Sequence, residues 1–396
     1  MSFEIPEHIR SLRDAVRQFM IEFVEPAEAT LHREDEAAAT LLFNLQSEAK
    51  QRGLWALGHP SELGGGGMSF LDYVYVNEVQ GRSSFGQFAL GSFTLQDTLL
   101  LQRHGSSALK ERWLRLLVDG KVSPSFSMTE PDVSSSDPTQ LATSATLEGD
   151  EWVLNGRKWF ATGAARAGYV TVMCRTETDV PARQSFSIIL VPAQTPGFTI
   201  VRETPVLGLR GGHYEIDFDS VRVPHDHLLG VRGEGFAIAQ ERLGPGRIFH
   251  CMRWLGQAQR AFDLMCERLN SRVAFGERLA AKQLMQQHVF ESFAEIQACR
   301  LLTLQVARQL DAGEEARVEI GTIKVVGARM LHNVVDRALQ VYGAAGLTDD
   351  TPLSVMYREA RFARIYDGPD EVHVQSVARR LLKRYDVGES WEIGLR

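Results

Sequence analysis

Apolar residues recur at three- and four-residue intervals from Pro6 to about Gly120, as at Leu12, Val16, Phe19 and Phe23, the spacing that turns one helical face toward a core. This stretch predicts an all-helical region, interrupted once at Gly64 to Gly67, where Pro60 and Ser61 lead into a loop. No strand precedes those glycines, so they do not form a phosphate-binding loop. Between about Lys121 and Arg232 the pattern shortens to alternating runs, Glu151 to Leu154, Tyr169 to Cys174, Phe186 to Val191 and Phe198 to Val201, which read as strands. In His213 to Asp219, Tyr214, Ile216 and Phe218 share one face and Glu215, Asp217 and Asp219 the other, as a strand with one buried face requires. A small antiparallel barrel or sandwich is expected there. From about Gly233 helical periodicity returns in long pieces, roughly Pro245 to Arg272, Ala281 to Asp311, Glu315 to Tyr342 and Pro369 to Tyr385, which read as a four-helix bundle. The expected class is α+β, with domains at 1–120 (helical), 121–232 (β) and 233–396 (helical). Strands and helices do not alternate, which disfavours a dinucleotide-binding βαβ fold.

Composition narrows the function classes. A chain of 396 residues exceeds what one hydrophobic core usually supports, so several subdomains and a large buried site fit its length. With 44% hydrophobic and 23% charged residues it lies in the ordinary globular range. A net charge of -7 argues against a nucleic-acid surface. Cys174, Cys251, Cys266 and Cys299 form neither a CxxC pair nor a dense framework and read as reduced intracellular thiols. Glu4, Glu7, Asp14 and Glu22 make the start unlike a signal or transit peptide, and no apolar run reaches bilayer length. No integral membrane segment is expected. A cytoplasmic location is expected, or the mitochondrial matrix for a eukaryotic chain whose transit peptide has been removed.

Candidate chemistry concentrates where helical texture gives way to strands. Phe126 to Asp137 offers hydroxyls at Thr129, Ser134, Ser135 and Ser136 that can donate to a pyrimidine edge and a phosphate, with Phe126 and Met128 able to wall an aromatic ring. A polar loop of helix-cap residues is the competing reading. Asn155 to Gly163 combines an Asn-Gly hairpin signal with Trp159, Phe160, Ala161 and Thr162, which serve equally as sheet core or as a platform for a flavin ring. His225 and His227 lack a third ligand nearby, so no metal site is expected. Gly244 to Arg247 opens a helix without dinucleotide-fingerprint spacing.

These two loops, in this order within an α, β, α plan, resemble the flavin-binding segments of the acyl-CoA dehydrogenase superfamily, and the likeness covers essentially the whole chain. Three C-terminal segments agree with it. Arg272 to Gly276 resembles the position where an Arg holds the FAD pyrophosphate with an aromatic, here Phe275, beside it; Arg suits bidentate phosphate binding. Gln340 to Gly346, including Gly343, resembles the glycine-rich turn that reaches the FAD of a neighbouring subunit, implying a homodimer or homotetramer. Asp367 to Glu371 resembles the segment of the catalytic carboxylate. The resemblance thus implies FAD as cofactor, Asp367 as base, Pro369 and Glu371 at the cofactor, Ser135, Arg247 and Gly368 at an acyl-CoA substrate, and electron transfer flavoprotein as acceptor. Each piece has a bland counterpart, a solvated charge for Arg272 and a helix C-cap for Gly343 to Gly346. Met128 to Val133, Leu243 to Ile248 and Asp367 to His373 look closest to the dehydrogenase portion of acyl-CoA dehydrogenase family members ten and eleven, linked to 4-hydroxyacyl and 4-phosphoacyl-CoA metabolism.

The implied reaction is α,β-dehydrogenation of an acyl-CoA. Most of the superfamily has Glu where this chain has Asp367. Relatives with Asp there, notably nitroalkane oxidases, oxidise small carbon acids, so a flavin oxidase is one alternative and a non-catalytic, flavin-bound partner protein another. Asp367 has a structural competitor too: it sits where it could cap the helix that follows Pro369.

Overall fold

The computed structural model describes residues 4–387. Seven helical segments open the chain: α1 (Glu7–Phe19), α2 (Glu25–Leu31), α3 (Glu36–Gln51), α4 (Phe70–Gln80), α5 (Gly86–Ala89), α6 (Leu95–His104) and α7 (Ser107–Val118). The strands β1 (Ser123–Ser127), β2 (Ser144–Glu148), β3 (Glu151–Thr162), β4 (Ala167–Arg175), β5 (Phe186–Pro192), β6 (Phe198–Glu203), β7 (His213–Pro224) and β8 (Leu228–Leu229) follow. Then come α8 (Gly235–Ser271), a hairpin of β9 (Val273–Ala274) and β10 (Glu277–Arg278), α9 (Gln283–Asp311), α10 (Arg317–Tyr342), α11 (Leu353–Ala363) and α12 (Asp370–Asp386). Two compact units result, one of Pro26–Ser69 and Gln87–Leu243, the other of Met1–Glu25, Phe70–Gly86 and Gly244–Arg396.

The first unit is built on one eight-stranded sheet in the order β6-β7-β3-β2-β4-β5-β8, with β1 pairing β4. Its apolar residues bury two clusters. One runs from Leu101, Leu109 and Trp113 of the helices to Tyr169, Phe186 and Leu190 of the sheet; the other joins Trp152, Leu154, Val172, Ile216 and Phe218. The sheet is not wholly antiparallel, because β1 enters from α7 and runs parallel to β4. Asn155-Gly156 is not a turn. β3 passes through it as a bulge, where Gly156 holds φ 135 and a Cβ would lie 2.8 Å from the Thr143 backbone, while the Asn155 side chain accepts the Ser220 N–H at 2.8 Å. The tight turn falls instead at Gly149 and Asp150, between the paired Glu148 and Glu151. Glu215, expected on the solvent face of β7, is buried and held by Arg202 at 2.6 Å and Arg157 at 3.5 Å. Alternation had shown its face but not the arginines that cover it.

The second unit is helical. Every residue of α4 from Tyr73 to Gln80 is buried, polar ones included, and the polar groups answer one another: Tyr73 donates to the Gln80 amide oxygen at 3.0 Å and Arg300 to Glu78 at 2.8 Å. Glycines set the helix approach. A Cβ at Gly81 would lie 2.2 Å from Arg253 Cα, and one at Gly256 2.1 Å from the Glu78 carbonyl. Among the described residues the C-terminal part holds five α-helices, the addition being α11, which is short and follows Pro352, yet buries Leu353, Met356, Ala360 and Ala363 at helical spacing. Pro245 does not start a helix either. It lies inside α8, where it lacks an N–H for the Glu241 carbonyl, and the heavily buried face from Ile248 to Met265 offsets that loss. No helix among the described residues is long and apolar enough to cross a membrane.

Candidate active site

In the sheet unit the candidate loop leaves β1 and is drawn onto β3. The Thr129 hydroxyl donates to the Trp159 carbonyl at 2.7 Å, and the Trp159 N–H returns to the Thr129 carbonyl at 3.1 Å. That hydroxyl proton is therefore spent within the protein and its oxygen remains an acceptor. Ser135 braces the loop by accepting the Glu130 N–H at 2.9 Å, whereas Ser134 and Ser136 are exposed. Beneath lies a buried ion pair absent from the sequence reading: Lys158 reaches Glu130 at 2.8 Å and the Met128 carbonyl at 2.9 Å. Glu130 also accepts the N–H groups of Ala142 at 2.7 Å and Thr143 at 2.9 Å. Burial alone pushes a carboxyl up; the Lys158 charge and these hydrogen bonds outweigh it and hold Glu130 below its usual value.

Beside this anchor β3 shifts register between Lys158 and Ala161, and Phe160 takes φ 51, in the left-handed region that a bulky residue seldom enters. The strain leaves Ala161 fully buried and Phe160 41% exposed, its ring edge-on to Trp159 at 4.7 Å and to His213 at 5.7 Å. Thr162 meets His213 Nδ1 at 3.1 Å. Phe126 lies under the Arg242 guanidinium, 4.6 Å from the ring centroid, and Arg242 is tied to Asp97 at 3.0 Å. The loop residues and the Phe160 to Thr162 segment thus converge, bringing an aromatic face, exposed hydroxyls and backbone groups to one region of the sheet unit.

In the helical unit Asp367 sits just before α12 at φ 53, with Gly368 at φ 97. Gly368 has no substitute: a Cβ there would lie 2.7 Å from His373 Nε2. The Asp367 carbonyl accepts from Arg247 at 3.1 and 3.3 Å and from His373 Nε2 at 3.0 Å. Its carboxylate meets His250 Nε2 at 3.1 Å. The N-cap of α12 is Pro369 rather than Asp367, with no side-chain cap hydrogen bond, while the Asp367 carboxylate meets His250. Asp370 is buried and committed to Arg364 at 2.9 Å and Arg329 at 3.2 Å; Glu371 is exposed.

Burial, reinforced by the Arg247 charge, pushes His373 down to about 4, so this imidazole is neutral and donates from Nε2. Lys324, fully buried and without a hydrogen-bond partner, is brought down to about 8 by burial against the pull of Asp370 and Asp367. Lys324, His250 and His373 were not singled out in the sequence, because each sits at an apolar-looking helical position. Arg272 and Phe275 lie at the β9–β10 hairpin, where Phe275 is 98% exposed. Gln340 is exposed in the last turn of α10, and Gly343 turns the chain at φ 63.

Models of three acyl-CoA dehydrogenase domains match this chain: the N-terminal domain over 6–121, the middle domain over 125–221 and the C-terminal domain over 233–382. Probable acyl-CoA dehydrogenase FadE2 of Mycobacterium tuberculosis is 44% identical over 97% of this chain and 98% of its own. The chain belongs to the acyl-CoA dehydrogenase family. Human acyl-CoA dehydrogenase family member 11 is 38% identical over 93% of this chain, which spans about half, 49%, of that relative's length. The solved butyryl-CoA dehydrogenase of Megasphaera elsdenii is 26% identical and superposes with a TM-score of 0.85 over 96% of this chain and all of its own. Acyl-CoA dehydrogenases are flavoproteins that bind FAD, and the exposed Phe160 ring on strained backbone, with hydroxyls beside it, fits that group.

Proposed function

We propose that this chain oxidises the Cα–Cβ bond of an acyl-CoA thioester, taking a proton from Cα and a hydride from Cβ to leave the 2-enoyl thioester. The observation that carries this reading is Asp367, held on left-handed backbone, with its carbonyl gripped by Arg247 and His373 and its carboxylate beside His250. FAD, when bound, supplies at N5 the acceptor for the hydride. Phe126, Met128, Thr129, Ser134, Ser135, Ser136, Phe160, Ala161 and Thr162 hold that cofactor; by the family resemblance Arg272, Phe275, Pro369 and Glu371 are FAD contacts, and Gln340 with Gly343 reaches the FAD of a neighbouring subunit. Asp367 receives the α proton, and its backbone N–H steadies the thioester oxygen as charge develops there, with Gly368 beside the substrate. Ser135 and Arg247 contact the substrate, and electron transfer flavoprotein removes the electrons.

An anaerobic panel of acyl-CoAs tests this directly. The purified protein is expected to be yellow with releasable FAD, to bleach on mixing with at least one acyl-CoA, and to reoxidise with an artificial acceptor far faster than with oxygen. The cations around Asp367, buried Lys324 and part-buried Arg247, and the resemblance of Met128 to Val133, Leu243 to Ile248 and Asp367 to His373 to a subgroup linked to 4-hydroxyacyl and 4-phosphoacyl-CoA support a polar group near C4, so 4-hydroxy or 4-phospho thioesters should bleach the flavin faster than butyryl, octanoyl or palmitoyl-CoA. Rapid turnover with oxygen would favour an oxidase; a flavin that no acyl-CoA reduces would favour a scaffold.

We further propose a homodimer or homotetramer. Support comes from the second unit, where Phe275, Leu284 (70% exposed), Phe290 (70%) and Leu347 (68%) offer apolar area on and around the Arg272 hairpin, α9 and the turn after α10. Light scattering is expected to give two or four chains; an FAD-loaded monomer at low concentration would overturn this.

A further inference from the structure

His250 is a titratable group beside the candidate base that the reaction outlined above does not use. It lies on α8 with Nε2 3.1 Å from the Asp367 carboxylate and Nδ1 2.9 Å from an Arg253 guanidinium nitrogen. Arg253 can only donate, so Nδ1 must accept, and the proton of the neutral ring is confined to Nε2, where it is donated to Asp367. The ring is also fixed in plane. It stacks on Trp254 at 5.9 Å and packs against Tyr366 at 4.9 Å, and the Trp254 indole N–H donates to the Tyr366 hydroxyl at 2.7 Å.

We propose that His250, its tautomer set by Arg253, is a positioning residue that holds the Asp367 carboxylate in the orientation in which it works. The proposal rests on Asp367 being the base, and it bears on the length of that side chain. A carboxylate one methylene shorter than the usual Glu has fewer torsions to search, and an N–H fixed by two aromatic rings and a guanidinium removes most of what remains. Imidazole and a primary amide both place an acceptor and a donor on either side of one carbon. Glutamine can therefore take the Arg253 proton at its oxygen and give its own N–H to Asp367; leucine, of similar bulk, can do neither.

The test compares His250→Leu, His250→Gln and Asp367→Asn in anaerobic stopped-flow reduction of the bound flavin, with FAD content and acyl-CoA affinity measured on each. His250→Leu is expected to reduce the flavin roughly 10- to 100-fold more slowly at unchanged acyl-CoA affinity, the loss expected for a misoriented catalytic group. His250→Gln should recover most of the rate. A second readout needs no turnover: 15N spectra of histidine-labelled protein, with or without FAD, should show His250 as the Nε2–H tautomer and should lose that signature in Arg253→Met. Wild-type reduction by His250→Leu alongside a dead Asp367→Asn would overturn the positioning role alone, as would an Nδ1–H tautomer. Normal reduction by Asp367→Asn would instead remove the base assignment beneath it.

Discussion

Asp367→Asn is expected to retain FAD and bind acyl-CoA with near wild-type affinity while reducing its flavin about 100-fold or more slowly, the usual scale for loss of a general base. The substitution isolates basicity well. Asn is among the few residues that tolerate the left-handed backbone, so φ 53 is kept at little strain. Its side-chain oxygen can still accept from His250 Nε2, and the carbonyl contacts from Arg247 and His373 do not depend on the side chain. Asp367→Glu moves the carboxylate by one methylene and so disturbs the 3.1 Å contact with His250; it should lose rate while remaining basic. Single-turnover reduction with a saturating acyl-CoA reads both variants. Reduction by the Asn variant within a few-fold of wild type would sink the assignment and move attention to exposed Glu371, since Asp370 is locked between Arg329 and Arg364.

The architecture was legible because period alone separates helix from strand over long runs, and the α, β, α order survived intact. What failed were local punctuation marks. Asn155-Gly156 has the composition of a two-residue turn, but the neighbouring β7 and the Thr143 backbone hold it in a bulge; Pro245 has the look of a helix start, but a long buried face carries α8 through it. In both cases tertiary contacts overrode a residue's local preference. The site shows the same division. Asp367, Arg247 and the Phe126 to Thr162 loops stood out only as segments resembling the family's in order, not from their polarity. Lys158, Glu130 and His250 did not stand out, since a charge in a strand or on a helix reads as solvated until its partner, distant in sequence, is seen across the sheet or the next helix.

Lys158→Met is expected to destabilise the sheet unit by roughly 3–5 kcal/mol, the scale for stripping one member from a buried ion pair and leaving the other uncompensated. Lys158 is fully buried and Glu130 nearly so, and both lie directly under the segment read as the flavin loop. Removing the lysine also removes the donor that ties the Met128 carbonyl to β3. The loop should loosen, and FAD should dissociate more readily from the variant even where it remains folded. Lys158→Met combined with Glu130→Gln should recover part of the loss, because no charge is then left buried, although Ala142 and Thr143 donate to different oxygens of Glu130 and the single glutamine oxygen can accept only one of them. The pair also sets an acid limit. Glu130 titrates lower in the folded chain than in the unfolded one, so its stabilising contribution is complete above the ordinary carboxyl value of 4.5 and is lost as pH falls through the lower, folded value. Thermal unfolding at neutral pH should show Lys158→Met melting on the order of 10 °C below wild type, and the double variant between the two. Acidification from neutral pH through the ordinary carboxyl value of 4.5 and below should narrow whatever gap remains between wild type and the double variant. A Lys158→Met protein with wild-type melting temperature and wild-type FAD affinity would show that the pair neither supports the sheet nor holds the loop.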